Sequence, residues 1–241
     1  MILRGVRSWP RLSGLGIGLG LWAWVAWLWA TPMALPGPSA VAVTLVEEAP
    51  LLLSGAWRSG LRVLSGWLVA AMIGVPLGLG MASSPTLDRE LARLLVLLRP
   101  LPPFVWLPLV LLWFGVGEVG AVVISALGAF PVVLSHAREG VSATPLSWVQ
   151  AAENLGATRW GVFWRVRLPA ALPLTRSGLR RAWSVAWMSL VAAELVGTDG
   201  GLGQILMDAR NLARPELGLA AMVTLGVVAA ASGRLLEGRA G

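Results

Sequence analysis

The sequence predicts an all-α integral membrane protein with about six transmembrane helices, and three observations carry that reading. Apolar residues make up 56% of the 241 residues and charged ones 13%, with a mean hydropathy of +0.75, well outside the range of a soluble domain. Apolar runs recur along the chain at lengths close to the ~20 residues a bilayer requires. The 19 basic residues are all Arg and gather at the ends of those runs. Despite a net charge of +7, nucleic acid is not an indicated partner, because the arginines mark span ends rather than one polar face. With no Cys and a single His, His136, a disulfide framework, a Cys nucleophile and a Cys/His zinc site are excluded.

Residues 1–34 read as an N-terminal tail and first span, and residues 35–241 as the core domain. Arg4, Arg7 and Arg11 precede an apolar run from Leu15 to Trp29. A signal peptide would look similar, but Trp22, Trp24, Trp27 and Trp29 and the lack of a small-x-small cleavage site favour a retained span. After the turn-rich Pro32–Pro38, the stretch Ser39–Arg62 with Glu47 and Glu48 predicts an external connecting helix. A second span follows over Leu61–Met81, where Gly74, Pro76, Gly78 and Gly80 permit close approach and bending inside a bundle. Asp88, Arg89, Glu90 and Arg93 form a short charged loop.

From Leu97 to Gly115 the chain reads LLRPLPPFVWLPLVLLWFG. Four prolines in nine residues preclude a regular helix, so this span starts irregularly and straightens after Pro108. Irregular backbone at membrane depth must be buried in protein or line a wet cavity; the alternative is a linker that enters the membrane only near Trp106. A fourth span covers Val119–Leu134, closing on Ser135, His136 and Arg138, with His136 at the interface. The fifth covers about Leu179–Val196, and the sixth Leu217 to about Leu235, from which Arg234 can snorkel.

Between the fourth and fifth spans lies a long polar island, Thr144–Pro173: TPLSWVQAAENLGATRWGVFWRVRLPAALP. Thr144 suits an N-cap with Pro145 at the first helical position. Trp148, Ala151, Ala152 and Leu155 fall at i, i+3, i+4 and i+7 on one small-residue apolar face. Gly156 suits the helix stop, and Thr158 can cap a second short helix whose Trp160, Phe163 and Trp164 share a face. Arg159, Arg165 and Arg167 crowd around that face, and Pro169 and Pro173 are expected to break the chain before the next span. An amphipathic helix lying at the interface would account for these features too.

The order Gln150-Ala151-Ala152, then Gly156, then Leu168-Pro169 resembles the cytoplasmic signature loop of binding-protein-dependent ABC importer permeases, which usually reads Glu-Ala-Ala, Gly, Leu-Pro. The chain departs from that pattern at Gln150, with Glu153 one turn on. The proline-rich 97–115 segment resembles that of the nitrate, sulfonate, taurine and bicarbonate branch. The resemblance covers about Leu35–Leu236 and implies the type I ABC importer permease fold. It also implies that the loop over residues 144–173 is a coupling helix seated in a groove of an ATP-binding subunit. Trp148, Gln150, Ala151, Ala152, Glu153, Leu155, Gly156 and Phe163 would make that contact. A second permease copy, as a homodimer, and an extracytoplasmic solute-binding protein are the other implied partners besides the lipid bilayer. ATP and Mg would belong to the partner subunit, with no cofactor or metal on this chain.

Orientation follows from the arginines. With the N-terminus inside and six spans, the cytoplasmic side receives the N-terminal arginines with Arg89, Arg93 and Arg99. It also receives Arg138, Arg159, Arg165 and Arg167, then Arg176, Arg180 and Arg181, and finally Arg234 and Arg239. Arg58, Arg62, Arg210 and Arg214 remain outside, an asymmetry that fits the positive-inside rule. Both termini and the 144–173 platform are thereby placed in the cytoplasm, and the resemblance implies that the membrane is a bacterial inner membrane.

Glu194 shares a face of the fifth span with Trp183, Trp187 and Leu190, and an ionisable residue within a span is a candidate for the translocation pathway. A structural partner near the outer interface is the other reading, with Arg210 or Arg214 as its counter-ion. In the loop over residues 197–216, Leu202, Ile205, Leu206, Ala209 and Ala213 have helical spacing. Its apolar side suits packing on the bundle, and Asp208, Asn211 and Arg214 are the candidates for docking a solute-binding protein. No GxxxxGK[ST] occurs, so ATP hydrolysis would need a separate subunit. An ion-coupled carrier would show an inverted repeat with midplane charges, of which Glu194 is the sole candidate. A serine hydrolase would need a base placed behind its Ser, which adjacent Ser135 and His136 do not supply.

Overall fold

The computed structural model describes residues 12–28, 35–98 and 100–237. Arg4, Arg7, Arg11, Trp29, Pro32, Arg99 and Arg239, which entered the topology above, lie outside the described residues. Among the described residues every regular element is helical. In order these are α1 (Leu12–Leu28), α2 (Pro38–Glu47), α3 (Ala49–Ser83), α4 (Pro85–Leu98), α5 (Leu107–Phe114) and α6 (Glu118–Ser142). There follow α7 (Leu146–Asn154), α8 (Arg159–Val162), α9 (Leu168–Val196), α10 (Leu202–Asn211) and α11 (Pro215–Glu237).

The centre of the molecule is a bundle of α3, α6 and α9, whose facing sides are built from small residues. Ser59, Val63, Gly66, Ala70, Gly74 and Gly78 recur at three- and four-residue spacing on the buried side of α3. Ala121, Ser125, Gly128 and Ala129 do so on α6, and Gly178, Ala182, Ala186 and Ala193 on α9. In a membrane, where apolar surface alone draws helices together weakly, such stripes allow backbones to approach and dispersion contacts to accumulate. Trp67 fixes the register of α3 on α9: its Nε1–H donates to the Leu179 carbonyl at 2.9 Å. Its ring meets Trp183 edge-on, with centroids 5.6 Å apart.

A second core lies to one side, where Leu202, Ile205 and Ala209 of α10 pack on Leu217, Ala220 and Ala221 of α11 and on Val41 and Leu52. The apolar side of the 197–216 loop therefore packs on the bundle. Ala213, expected on the same face, instead lies beyond the helix end with φ +52°.

Among the described residues three helices (α3, α6 and α11) are long and apolar enough to cross a membrane. The α4 and α5 segments would make a fourth span, bent by 91° between Thr86–Leu98 and Pro103–Phe114. The bend falls where the prolines lie: Pro103–Trp106 forms a single 3₁₀ turn and regular helix begins at Leu107. Helix α1 has 17 described residues, and α9 is long at 29 but carries arginines through its first half. Only 11% of the most apolar window of α11 is buried within the chain. That surface needs lipid or another protein against it.

Several boundaries differ from the sequence expectation. The stretch Ser39–Arg62 is not one connecting helix: α2 ends at Glu47, and α3 runs without interruption from Ala49 to Ser83. Asp88, Arg89, Glu90 and Arg93 lie in a helix, α4, rather than a loop. Pro169 and Pro173 do not break the chain. Pro169 sits in the first turn of α9, where an N–H is dispensable, and Pro173 is accommodated inside the helix. The preceding Phe163–Arg167 forms a widened π turn that joins α8 to α9.

Candidate functional site

The bundle has two chemically different ends. One, formed by the C-terminus of α6 and the N-terminus of α9, carries α7 and α8 as a platform. The cap of α7 falls one residue later than expected: Pro145 occupies the cap position with extended ψ, and the Thr144 hydroxyl is buried without a hydrogen-bond partner. The far end of α7 is closed as expected. Gly156 has φ +83°, a conformation that costs an L-residue ~1–2 kcal/mol. Its N–H donates to the Glu153 carbonyl at 2.9 Å, and Ala157 N–H reaches back to Ala152 at 3.0 Å, the paired bonds of a Schellman stop. Thr158 then accepts from Gly161 N–H at 3.2 Å and starts α8.

Val149 is the buried residue by which α7 is held. Trp148, Gln150, Ala151, Glu153, Leu155 and Gly156 are exposed, and Ala152 is half-buried. Trp148 is 57% and Leu155 89% exposed, high values for large apolar side chains. Trp160, Phe163 and Trp164 form a chain of edge-on ring contacts beside them, with Phe163 half-buried.

The opposite end holds an ion cluster in which Arg62 and Glu194 are buried and Glu118 is 60% exposed. The Arg62 side chain is 2% and that of Glu194 0% exposed, with Nη1 and Oε1 2.7 Å apart. Arg62 also grips Glu118 in bidentate fashion at 2.6 and 2.5 Å, and its remaining donors reach the carbonyls of Gly200 at 2.5 Å and Asp199 at 3.1 Å. The guanidinium fork thus ties α3, α6, α9 and the 198–200 turn together. Glu194 in turn accepts from Ser59 at 2.8 Å and from the N–H of Gly203 at 2.9 Å. That N–H belongs to the first turn of α10, so the carboxylate also caps a helix N-terminus. At Gly201, whose φ is +127°, a Cβ would meet the Glu194 carboxyl carbon at 2.6 Å, so only glycine lets the turn wrap the charge.

Glu194 therefore pairs with Arg62, not with Arg210 or Arg214, and Arg62, expected at the end of an external connecting helix, is buried within α3. Trp183, Trp187 and Leu190 lie buried with Glu194 on the packed side of α9. Arg214 bridges to Glu48 at 2.9 Å and Glu216 at 3.4 Å. The Glu48 hydrogen bond holds its pKa above the ordinary value. Asp208 and Asn211 are exposed. The sequence pointed to Glu194 but not to Ser59, Arg62 or Glu118. The available signal was three ionisable residues, 62, 118 and 194, each near the same end of its own span.

A cavity of about 650 Å³ opens between α6, α9 and the 98–106 segment on the platform half of the bundle. Its polar lining comes from Ser135, His136, Glu139, Arg181 and Ser184. The His136 Nδ1 is 2.8 Å from the Val132 carbonyl, so that nitrogen carries the proton. The irregular proline segment lines this cavity through Leu101, Pro103 and Trp106.

A small-residue helical bundle with a protruding platform at one end defines the class: a multi-pass membrane permease of the type I ABC importer fold. A chain of the inward-facing MetNI methionine ABC transporter superposes with a TM-score of 0.64 over 79% of this chain and 97% of that one, at 20% identity. The chain belongs to the family of binding-protein-dependent transport system inner membrane components, whose family model matches residues 74–239. The taurine transport system permease protein of Escherichia coli is 34% identical over 206 residues, 83% of this chain and 75% of that protein. A candidate ABC transporter permease of Methanocaldococcus jannaschii is 38% identical over 168 residues, 69% of this chain. The chain spans 63% of that relative's length.

Proposed function

We propose that this chain is the membrane-spanning subunit of an ATP-driven importer and forms the passage for a small solute of the taurine, sulfonate or nitrate kind. Family membership and the taurine relative support the import role. The observation that carries the mechanism is the platform: Trp148 and Leu155 project from a rigidly stopped helix and are largely uncovered among the described residues. An ATP-binding subunit with a groove for α7 would take Trp148, Gln150, Ala151, Ala152, Glu153, Leu155, Gly156 and Phe163 into contact. ATP and Mg would sit on that subunit, and its movement would pass through α8 and the π turn into α9.

In this reading the platform lies in the cytoplasm with both chain termini, and six segments cross the membrane: α1, α3, the bent α4–α5 pair, α6, α9 and α11. A second copy of the chain completes the passage, and a solute-binding protein docks at the opposite end on Asp208 and Asn211, with Arg214 beside them. An ion-coupled carrier would need a carboxylate free to load an ion. Glu194 is held by Arg62, Ser59 and Gly203, which leaves that alternative without its centre.

The test is purification of the tagged protein from detergent-solubilised membranes, with and without a scrambled 146–156 segment. Co-purification of an ATPase that is lost on scrambling supports the reading; recovery of the intact protein alone in both cases sinks it. Gly156→Trp should likewise insert normally while uncoupling ATP hydrolysis from transport.

A further inference from the structure

Helix α9 carries an exposed ridge beside the face that borders the cavity. Leu172, Arg176, Arg180, Ser184 and Met188 follow one another at four-residue intervals and are all exposed, Leu172 by 42% and Met188 by 75%. Residues so spaced stand one above the other on a helix. Arg181 turns to the cavity instead, and Ser184 borders both. Neither Arg176 nor Arg180 makes a hydrogen bond or ion pair with any described residue. Their own helix supplies no nearby counter-charge: between Asn154 and Ala193 the chain holds Arg159, Arg165, Arg167, Arg176, Arg180 and Arg181 and no acidic residue. The carboxylates of α4 and α6 on this half of the molecule are engaged, Asp88 by Arg138, Glu90 by Arg93 and Glu139 by an interaction of its own. Depth adds a second constraint. Helix α9 has 29 residues, about 43 Å at ~1.5 Å per residue, against a hydrocarbon layer of ~30 Å. Counted back from Val196, beside the buried Glu194, that layer ends close to Arg176, and Arg180 lies about one turn inside it.

We infer that Arg176 and Arg180 bind the phosphate of an anionic phospholipid in the leaflet on the platform side. The ridge has the polarity of such a contact, with Met188 toward the hydrocarbon, then a hydroxyl, then two guanidinium groups where the headgroups begin. An exposed, unpaired guanidinium at this depth is costly in hydrocarbon, and its long stem carries it toward the phosphate layer. Side chains one turn apart have Cβ atoms about 5–6 Å from each other, so both forks can converge on the two free oxygens of one phosphodiester. Two positive charges without a partner in the chain favour a lipid of net negative charge. A zwitterionic lipid would bring its own ammonium group beside the guanidinium groups. Arg159 and Arg165 are exposed as well, but they precede the start of α9, which lies about 12 Å from Arg176 along the helix. The inference goes beyond the transport reading and needs only that α9 crosses the membrane.

The experiment is native mass spectrometry of the detergent-purified protein titrated with phosphatidylglycerol or phosphatidylcholine. It compares the unsubstituted chain with the double variants Arg176→Gln/Arg180→Gln, Arg176→Lys/Arg180→Lys and Arg159→Gln/Arg165→Gln. The first phosphatidylglycerol adduct should weaken about thirtyfold in Arg176→Gln/Arg180→Gln, the effect of two charges close to a headgroup. It should persist in the Lys pair, weakened by the loss of the planar forks. In Arg159→Gln/Arg165→Gln, which removes the same charge, it should be unchanged. Phosphatidylcholine should bind the unsubstituted protein more weakly, and excess inorganic phosphate should not displace phosphatidylglycerol. Equal phosphatidylglycerol binding in Arg176→Gln/Arg180→Gln, equal loss in Arg159→Gln/Arg165→Gln, or equal binding of the two lipids would each overturn the assignment. Displacement by inorganic phosphate would overturn it too, making the pair a site for free anions. Should Arg176→Gln/Arg180→Gln fail to fold, as its thermal midpoint would show, the single variants decide: each should weaken the adduct about fivefold, and no loss in either sinks the lipid site.

Discussion

The two ends of the bundle solve opposite problems. At one end Arg62, Glu118 and Glu194 bring three charges into a cluster in which every donor of the guanidinium is used. At the other, Trp148 and Leu155 present apolar surface that stays largely uncovered among the described residues. The first arrangement is self-sufficient and holds helix ends in fixed register; the second leaves large apolar side chains open, which the proposed ATP-binding subunit would cover. A protein that must stay closed at one face while being worked from the other would show this division. It predicts that substitutions at the cluster act on folding, whereas substitutions at the platform act on association.

The sharpest way to break that contrast is Arg62→Ala. Glu194 would be left wholly buried without its counter-ion, a change that costs about 3–5 kcal/mol. The thermal midpoint in detergent should fall steeply, or folded protein should fail to accumulate. Trp148→Ala, on the exposed face of α7, should stay within about 0.5 kcal/mol of the parent while losing the co-purifying ATPase. If the two variants were equally stable, the cluster would not be the anchor described here.

Next in size is a test of the small-residue seam that connects the ends. A Cβ at Gly78 would stand 2.6 Å from the Leu134 carbonyl oxygen and 2.7 Å from the Ala137 Cβ. Two residues along the same helix, a Cβ at Gly80 would meet only Leu87, at 3.8 Å. Gly78→Ala should force α3 away from α6 and cost about 1–3 kcal/mol. Gly80→Ala should be neutral or stabilise by up to ~1 kcal/mol through the unfolded chain. Unfolding midpoints of the pair measured side by side decide the matter, because helix propensity changes equally in both.

These contrasts also explain what could be read from the sequence. Composition and apolar run length announced the helical membrane class, because a bilayer imposes length and polarity directly on the chain. The Gly156 stop and the Thr158 cap were readable because each depends on one residue and its immediate neighbours. The Arg62 cluster was not, since it joins residues 56 and 132 positions apart and local pattern carries no record of which distant charge answers which. The same limit explains Glu194 being matched to Arg210 or Arg214, its neighbours in sequence. Pro173 was read as a breaker because propensity was weighed alone, whereas packing of α9 against α6 holds the helix through it.

A smaller effect is expected where the platform begins. Gly156→Ala meets no side chain, so its cost is the positive φ alone, ~1–2 kcal/mol. Because that strain is local, hydrogen exchange should quicken at the Gly156 and Ala157 amides, with little change in the global midpoint. Protection unchanged at both amides would mean that α7 ends without need of the left-handed residue.

The smallest effect separates a tie from an anchor. Arg138 of α6 grips Asp88 of α4 through both oxygens, and the bidentate geometry resembles that of Arg62 on Glu118. The surroundings differ: the Arg138 and Asp88 side chains are 29% and 31% exposed, whereas Glu118 is 60% exposed but Arg62 is also paired with Glu194, the two being 2% and 0% exposed. Water and salt therefore screen the α4–α6 pair, and its removal leaves no stranded buried charge. A double-mutant cycle of Arg138→Ala and Asp88→Ala should give a coupling of about 0.2–1 kcal/mol that shrinks in high salt. The Arg62–Glu194 coupling in the same cycle should be several times larger and should barely respond to salt. Equal couplings would mean that burial does not set the strength of these pairs, and the contrast between the two ends would lose its physical basis.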